Sequence, residues 1–134
     1  MIGLDSNIIV RYIAQDDPIQ SAVATRLFES LTPEEPGFVS TVALIETVWV
    51  LRSFYDVSRN HLQRVIDTLL RTREVVVERS DLVWTALSAY SRGNADFADY
   101  LIERHGRAAG CEYTLSFDRD AVNSAGMKLL KYPL

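Results

Sequence analysis

The chain has little cysteine and no long apolar run, and both absences narrow its class. Cys111 is the single cysteine among 134 residues, so no disulfide can form within the chain, and a lone thiol without a CxxC partner is typical of a reducing compartment. No uncharged stretch approaches the roughly 20 residues that span a bilayer, and the N-terminus has no basic segment ahead of an apolar run. The sequence therefore predicts a cytoplasmic protein.

The chain also lacks an excess of basic residues. Lysine and arginine number 14 against 18 aspartate and glutamate residues, which gives a formal net charge of −4. A general affinity for polyanions is therefore not expected, and binding to nucleic acid would need a metal ion or a local basic patch. Arg11, Arg52 and Arg92 are candidate phosphate contacts, although an ordinary solvated surface arginine is the favoured explanation of each.

Several catalytic motifs are missing from the sequence. There is no GxSxG nucleophile elbow and no GxxxxGK[ST] phosphate loop. The two histidines, His61 and His105, lie away from the acidic clusters and are predicted to be solvated. Without a group of histidine or cysteine ligands a zinc site is not expected. Carboxylates are the remaining candidates for chemistry.

The apolar pattern predicts one globular domain over residues 1–134. Hydrophobic residues make up 48% of the chain and charged residues 24%, and no repeat or linker divides it. Short apolar runs alternate with segments of helical period, which predicts an α/β fold: a three-layer α/β/α sandwich with a parallel sheet of about five strands. The predicted strands are Ile2–Leu4, Phe38–Thr41, Val75–Val77, Tyr113–Phe117 and Lys128–Tyr132.

Glu46 is the most informative acidic position, because it lies in an apolar helix. Its neighbours one turn away are all apolar: Val42, Ala43, Trp49 and Val50. A carboxylate buried there would need a cation or hydrogen-bond donors. The alternative is a helix that exposes Glu46 at a crevice or pairs it with an arginine such as Arg52.

Four aspartates lie where strands end or helices begin. Asp5 and Asp118 follow predicted strands, and Asp96 and Asp99 lie three residues apart near the start of a helix. Helix capping or interaction with the helix dipole would explain each one separately. A parallel sheet, however, brings the carboxyl ends of its strands to one rim. Several carboxylates that meet there need a compensating cation, and oxygen ligands favour Mg²⁺ or Mn²⁺, the metals of phosphodiester hydrolysis.

The ordered set of acidic motifs resembles that of a known family, the VapC-type toxins of toxin-antitoxin pairs, within the PIN-domain ribonucleases. The resemblance covers essentially the whole chain. Its marks are Leu4-Asp5-Ser6-Asn7, Glu46 in an apolar helix, the segment from Asp96 to Ile102, and the segment from Leu115 to Asp120. Each motif is weak alone, and the ordered set is specific.

The resemblance implies a metal-dependent endoribonuclease that hydrolyses RNA with Mg²⁺ or Mn²⁺. The implied metal ligands are Asp5, Glu46, Asp99 and Asp118, with Asp96 contributing directly or through water. Asn7, Ser116 and Asp120 are the implied supporting residues. The resemblance also implies a homodimer and a small antitoxin, similar to VapB, that wraps the toxin and blocks its site. Several relatives carry threonine where this chain has Ser6 or Ser116.

Two other readings compete with the nuclease. A magnesium-dependent phosphoryl-transfer or receiver-like domain would need paired acids after the first strand, and a haloacid dehalogenase would need an aspartate where Asn7 stands. A PIN-like fold could also serve as a binding module without nuclease activity. Such a degenerate copy should have lost at least one of the acids, and here all are present.

Overall fold

The structure is a computed structural model that describes residues 1–131. Tyr132, the last residue of the predicted final strand, lies outside the described residues. The chain forms two compact units, Met1–Ser80 and Asp81–Leu134. Helices and strands alternate along the described residues in the order β1 (Ile2–Gly3), α1 (Ser6–Ala14), α2 (Pro18–Ser30), β2 (Gly37–Val39), α3 (Thr41–Phe54), α4 (Arg59–Arg71), β3 (Val75–Val77), α5 (Ser80–Tyr90), α6 (Phe97–Ala108), β4 (Leu115–Ser116), α7 (Arg119–Ala125) and β5 (Lys128–Leu129).

The first unit contains a three-stranded parallel sheet in the order β1-β2-β3. The neighbouring helices α1 and α3 pack against each other, and α4 packs on β3. An apolar stripe on α4 supplies part of the core, because Leu62, Ile66 and Leu69 are buried. Burial of such a stripe holds an amphipathic helix in place.

Side-chain caps set the starts of α2, α3 and α4. The hydroxyl groups of Ser40 and Ser58 accept hydrogen bonds from the backbone N–H groups three residues later. Asp17 does the same for α2, where Pro18 occupies the first helical position. These caps satisfy donors that have no partner within the helix. Ser58 is therefore the N-cap of α4.

The second unit pairs β4 and β5 in parallel, with Leu115 opposite Lys128. Its core is aromatic: the ring of Tyr90 meets Phe97 and Tyr100 edge to face at centroid distances of 5.7 and 6.1 Å. All three side chains are nearly or fully buried. Such edge-to-face contacts are a favoured arrangement of aromatic rings.

The predicted α/β class and the parallel strand pairing are confirmed. The five strands are hydrogen-bonded as a group of three and a group of two, and most are shorter than the apolar runs suggested. The expectation that both histidines are solvated is confirmed for His61, which is exposed, and only in part for His105, which is partly exposed but whose Nε2 is buried with no hydrogen-bond partner among the described residues. Within residues 1–131 no helix is long and apolar enough to cross a membrane.

Candidate active site

In the first unit a buried serine connects two of the predicted metal ligands. Asp5 follows β1 and caps α1, and its Oδ1 accepts a hydrogen bond of 2.7 Å from the Ser6 backbone N–H. The Ser6 hydroxyl donates to Glu46 Oε1 on α3 at 2.6 Å and lies 3.4 Å from Asp5 Oδ1. Ser6 is only 4% exposed. A hydroxyl that donates to a carboxylate at this distance makes a strong, charge-assisted bond, so Ser6 fixes Glu46 beside Asp5.

Glu46 itself is exposed and borders a cavity of about 460 Å³. Ser6, Asn7 and Arg11 also line that cavity. Of the two sequence-based alternatives, the structure therefore has the carboxylate exposed at a crevice. Because the Glu46 carboxylate is exposed to solvent, it remains hydrated and does not by itself require a compensating cation.

In the second unit, Asp96 and Asp99 form a capping box at the start of α6. Asp99 Oδ2 accepts a hydrogen bond of 3.1 Å from the Asp96 backbone N–H. This reciprocal arrangement explains the spacing of three between the two acids. The pair is therefore held on one turn of backbone, which fixes the direction of the Asp99 carboxylate.

Asp118 caps the next helix, α7. Its Oδ1 accepts hydrogen bonds from the backbone N–H groups of Asp120 and Ala121 at 2.8 and 3.3 Å. Its own backbone N–H donates to the Ser116 hydroxyl at 2.9 Å. Ser116 therefore positions the backbone of Asp118, and Asp120 is exposed in the first turn of α7.

Negative charge is concentrated around Asp99. Partial burial raises the pKa of Asp99, and the nearby carboxylates of Asp96, Asp118 and Asp120 raise it further. A hydrogen bond from the Asp96 backbone acts in the opposite direction and lowers this pKa. Like charges that share a site disfavour ionisation. A bound cation would reverse that effect, which makes these aspartates a chemically suitable part of a metal site.

The capping explanation and the metal-ligand explanation are compatible, because each carboxylate makes its structural hydrogen bonds through one oxygen. Within residues 1–131, no hydrogen bond is made by the second oxygen of four of the predicted ligands, namely Asp5 Oδ2, Glu46 Oε2, Asp99 Oδ1 and Asp118 Oδ2. A carboxylate has several acceptor sites. One oxygen can therefore orient the group while the other binds a cation.

The donors suit a hard divalent cation. All five predicted ligands carry carboxylate oxygens, which bind Mg²⁺ or Mn²⁺ in preference to zinc. Two of them, Asp5 and Glu46, lie in the first unit, and Asp96, Asp99 and Asp118 lie in the second. Among residues 1–131, no group of three or more His, Cys, Asp or Glu side chains lies close enough together to hold a metal ion.

Comparison with known proteins identifies the family. The model of the PIN domain family matches residues 2–126. The chain belongs to the PIN domain family. It is also similar to the VapC ribonuclease of Aquifex aeolicus (strain VF5), with 25% identity over 117 residues, which are 87% of this chain and 86% of that protein. The predicted PIN-like α/β sandwich with a parallel sheet is therefore the fold of this PIN domain.

Sequence reasoning missed two features of the site. The role of Ser6 as a donor to Glu46 was not predicted, because the two residues are 40 positions apart. The second feature is a polar cluster of Arg11, Asp16 and Tyr55 beside the same cavity. The position of Arg11 four residues after Asn7, on the same face of α1, was the available signal.

Proposed function

We propose that this PIN domain is a divalent-metal-dependent endoribonuclease that acts as the toxin of a toxin-antitoxin pair. The observation that carries the proposal is the hydrogen bonding of four carboxylates, those of Asp5, Glu46, Asp99 and Asp118. Each is oriented through one oxygen, and its second oxygen makes no hydrogen bond within residues 1–131. The similarity to a protein named VapC ribonuclease supports the same activity.

In this proposal the metal ligands are Asp5, Glu46, Asp96, Asp99 and Asp118, with Asp96 acting directly or through water. Mg²⁺ or Mn²⁺ held by these residues would supply an acidified water and positive charge to offset the charge that develops on the phosphate. The protein contributes orientation: Ser6 holds Glu46, and Ser116 holds the backbone of Asp118. Asn7 and Asp120, both exposed, are the remaining supporting residues.

The charge of the chain agrees with a role for metal in binding RNA. At a net charge of −4, the protein has no general attraction for phosphate, and the acids of the proposed site would repel RNA. A divalent cation at these acids removes that repulsion where the phosphodiester must approach. RNA binding near the acids should therefore depend on the same cation as cleavage does.

We further propose that the protein forms a homodimer and binds a small VapB-like antitoxin. Large apolar side chains are exposed on several helices, among them Ile19 at 77%, Val42 at 75% and Ile102 at 54%. Burial of such side chains against another protein chain would remove apolar surface from water. Sedimentation analysis should give a mass near twice the 15.1 kDa of one chain; a monomer at micromolar concentration would contradict the dimer.

The test separates capping from metal binding by replacing aspartate with asparagine. Asparagine caps helices about as well as aspartate, so Asp5→Asn and Asp118→Asn should leave the protein folded. Both variants lose the negative charge and one oxygen ligand. We expect Mg²⁺- or Mn²⁺-dependent cleavage of purified RNA by the wild type, no cleavage in EDTA, and loss of cleavage in both variants.

Asp17→Asn is the matched control, because Asp17 caps α2 in the same way and is not one of the proposed ligands. Its activity should equal that of the wild type. Full activity of Asp5→Asn or Asp118→Asn would refute the ligand assignment. Intact RNA with antitoxin-free wild-type protein and either metal would favour a PIN-fold binding module instead.

A further inference from the structure

The cavity beside Glu46 extends well beyond the predicted metal ligands. One wall is on α1, where Asn7 and Arg11 are four residues apart, and the other is on α3, where Glu46, Val50 and Phe54 follow one another at intervals of four. Residues at this spacing lie along one face of a helix. The cavity is therefore an elongated groove with Glu46 at one end and Arg11 and Phe54 at the other.

The length of the groove matches a short piece of single-stranded nucleic acid. Glu46 and Phe54 are eight residues apart, which corresponds to about 12 Å along a helix at 1.5 Å per residue. Stacked nucleotides rise by about 3.4 Å each. About three nucleotides can therefore lie between the carboxylate end and the aromatic end.

Arg11 is held rigidly at the far end of this groove. Its Nη1 donates to the Tyr55 hydroxyl and its Nε to Gln20 Oε1, both at 2.9 Å. The Tyr55 hydroxyl donates in turn to Asp16 Oδ2 at 2.7 Å, and Arg11 Nη1 lies 3.5 Å from Asp16 Oδ1. These contacts use Nε and Nη1, and Nη2 makes no hydrogen bond among residues 1–131. A guanidinium whose direction is fixed in advance is well suited to bind phosphate.

Phe54 offers the complementary surface for a base. It closes α3, its side chain is 71% exposed, and it borders the groove. Its ring meets Trp49 edge to face at a centroid distance of 5.5 Å, so one face of the ring has no partner in that pair. Exposed aromatic rings beside a cationic group are the usual platform on which unpaired bases stack.

We propose that this groove binds the RNA strand next to the bond that is cut, with Arg11 contacting a backbone phosphate and Phe54 stacking a base. The proposal rests on the ribonuclease function proposed above and extends it to the positioning of the substrate. Val50 forms the apolar floor between the two ends. Because Asp16 partly neutralises Arg11, the phosphate contact is a directed hydrogen bond more than a general attraction.

The experiment compares cleavage of RNA oligonucleotides of graded length, from three to ten nucleotides. Phe54→Ala and Arg11→Ala should each raise KM about tenfold on substrates long enough to fill the groove, which is within the range measured for loss of one stacked base. The same variants should match the wild type on substrates truncated on the side that enters the groove. Phe54→Trp should restore the wild-type KM, because tryptophan also stacks.

Two exposed residues away from the groove provide controls. Val23→Ala removes an apolar side chain that is 52% exposed, and Arg71→Ala removes a surface arginine paired with Asp67. Both should cleave every substrate as the wild type does. The proposal would be refuted if KM for Phe54→Ala and Arg11→Ala rose equally at all substrate lengths, or did not rise at any length.

A second measurement keeps this proposal separate from the ribonuclease function. If the wild type cuts no RNA, fluorescence anisotropy with a labelled six-nucleotide RNA and Mg²⁺ still tests the groove. Tighter binding by the wild type than by Phe54→Ala would support the groove although the nuclease proposal had failed. Equal or undetectable binding would refute both the stacking and the phosphate contact.

Discussion

Ser6 illustrates how a single buried residue can organise a pair of carboxylates. Its backbone N–H donates to Asp5 and its side chain donates to Glu46. The Ser6 hydroxyl has one hydrogen to donate. Because Ser6 Oγ is closer to Glu46 Oε1 than to Asp5 Oδ1, that hydrogen is donated to Glu46. Ser6 therefore acts on metal binding through Glu46 and does not need to touch metal or RNA.

Removal of the Ser6 hydroxyl should weaken metal binding strongly and lower the stability of the fold only slightly. We expect Ser6→Ala to raise the Mg²⁺ concentration needed for half-maximal cleavage about tenfold, the lower end of the effect of losing an outer hydrogen bond to a ligand. The free energy of unfolding should fall by only about 1 kcal/mol. Ser6→Thr should behave as the wild type in a Mg²⁺ titration, and an unchanged titration for Ser6→Ala would contradict this role.

The Tyr55 hydroxyl changes the titration of its two neighbours. Its hydrogen bond to Asp16 lowers the pKa of that carboxyl below 3.8 and raises the pKa of Tyr55 above 10.0, while its contact with Arg11 raises the already high pKa of the guanidinium. The lowered Asp16 pKa stabilises the fold above pH 3.8, and this stabilisation is lost as the pH falls through the folded pKa. The raised Tyr55 pKa stabilises the fold below pH 10.0, and this part is lost as the pH rises through the folded pKa.

Tyr55→Phe should remove both contributions together. In chemical denaturation at a series of pH values, the stability difference between wild type and Tyr55→Phe should be widest from about pH 5 to about pH 9. It should narrow below and above that range. A difference that is constant with pH would mean that the two proteins differ by packing and not by the hydrogen bond to Asp16.

At the scale of elements, the start of α6 depends on a close contact with a glycine. A Cβ built on Gly93 would collide with the Tyr100 hydroxyl, and that hydroxyl accepts a hydrogen bond from the Ala95 backbone at 3.2 Å. Tyr100 is fully buried, so its ring has no room to move away. The loop before Asp96 is thereby fixed by the absence of a side chain at position 93.

Gly93→Ala should lower the free energy of unfolding by about 1–3 kcal/mol, as added volume in a packed site does. Tyr100→Phe in the same chain should recover part of that loss, because it removes the atom nearest the new methyl group. A double-mutant cycle by denaturation measures the coupling. Simple additivity of the two substitutions would show that the methyl group is accommodated in another way.

The helix starts and the positions of the strands were well predicted from the sequence, but the lengths of most strands were not. Short polar side chains such as those of Asp96 and Asp118 cap helices through local hydrogen bonds, so their positions are visible in the sequence. Strand length depends on partners far along the chain. Tyr113–Phe117 has the apolar character of a strand, yet only Leu115–Ser116 is paired.

At the scale of the whole molecule, the proposed ligands are distributed over both units. A cation that binds only the folded chain stabilises it by mass action, by about 2.7 kcal/mol at a hundred times its Kd. We therefore expect Mg²⁺ or Mn²⁺ to raise the Tm of the wild type but not that of Asp118→Asn. Equal shifts in the two proteins, measured by calorimetry, would place the binding elsewhere.

The sequence by itself determined the family and supplied the candidate acids of the proposed site. Motifs such as Asp5-Ser6-Asn7 and the run from Asp96 to Asp99 are local, and the family model confirms the membership that they indicated. Helix caps followed from the same local chemistry. The alternation of apolar runs with helical periods was sufficient for the α/β class.

Only the tertiary structure decided which side chains meet. The hydrogen bond from Ser6 to Glu46 and the cluster of Arg11, Tyr55 and Asp16 join segments that are distant in sequence. The exposure of Glu46 at a crevice also depends on how α1 and α3 pack. Helical period places a residue on a face but does not show what that face contacts. Contacts of this kind arise when helices pack, because packing depends on the whole core and not on any one segment.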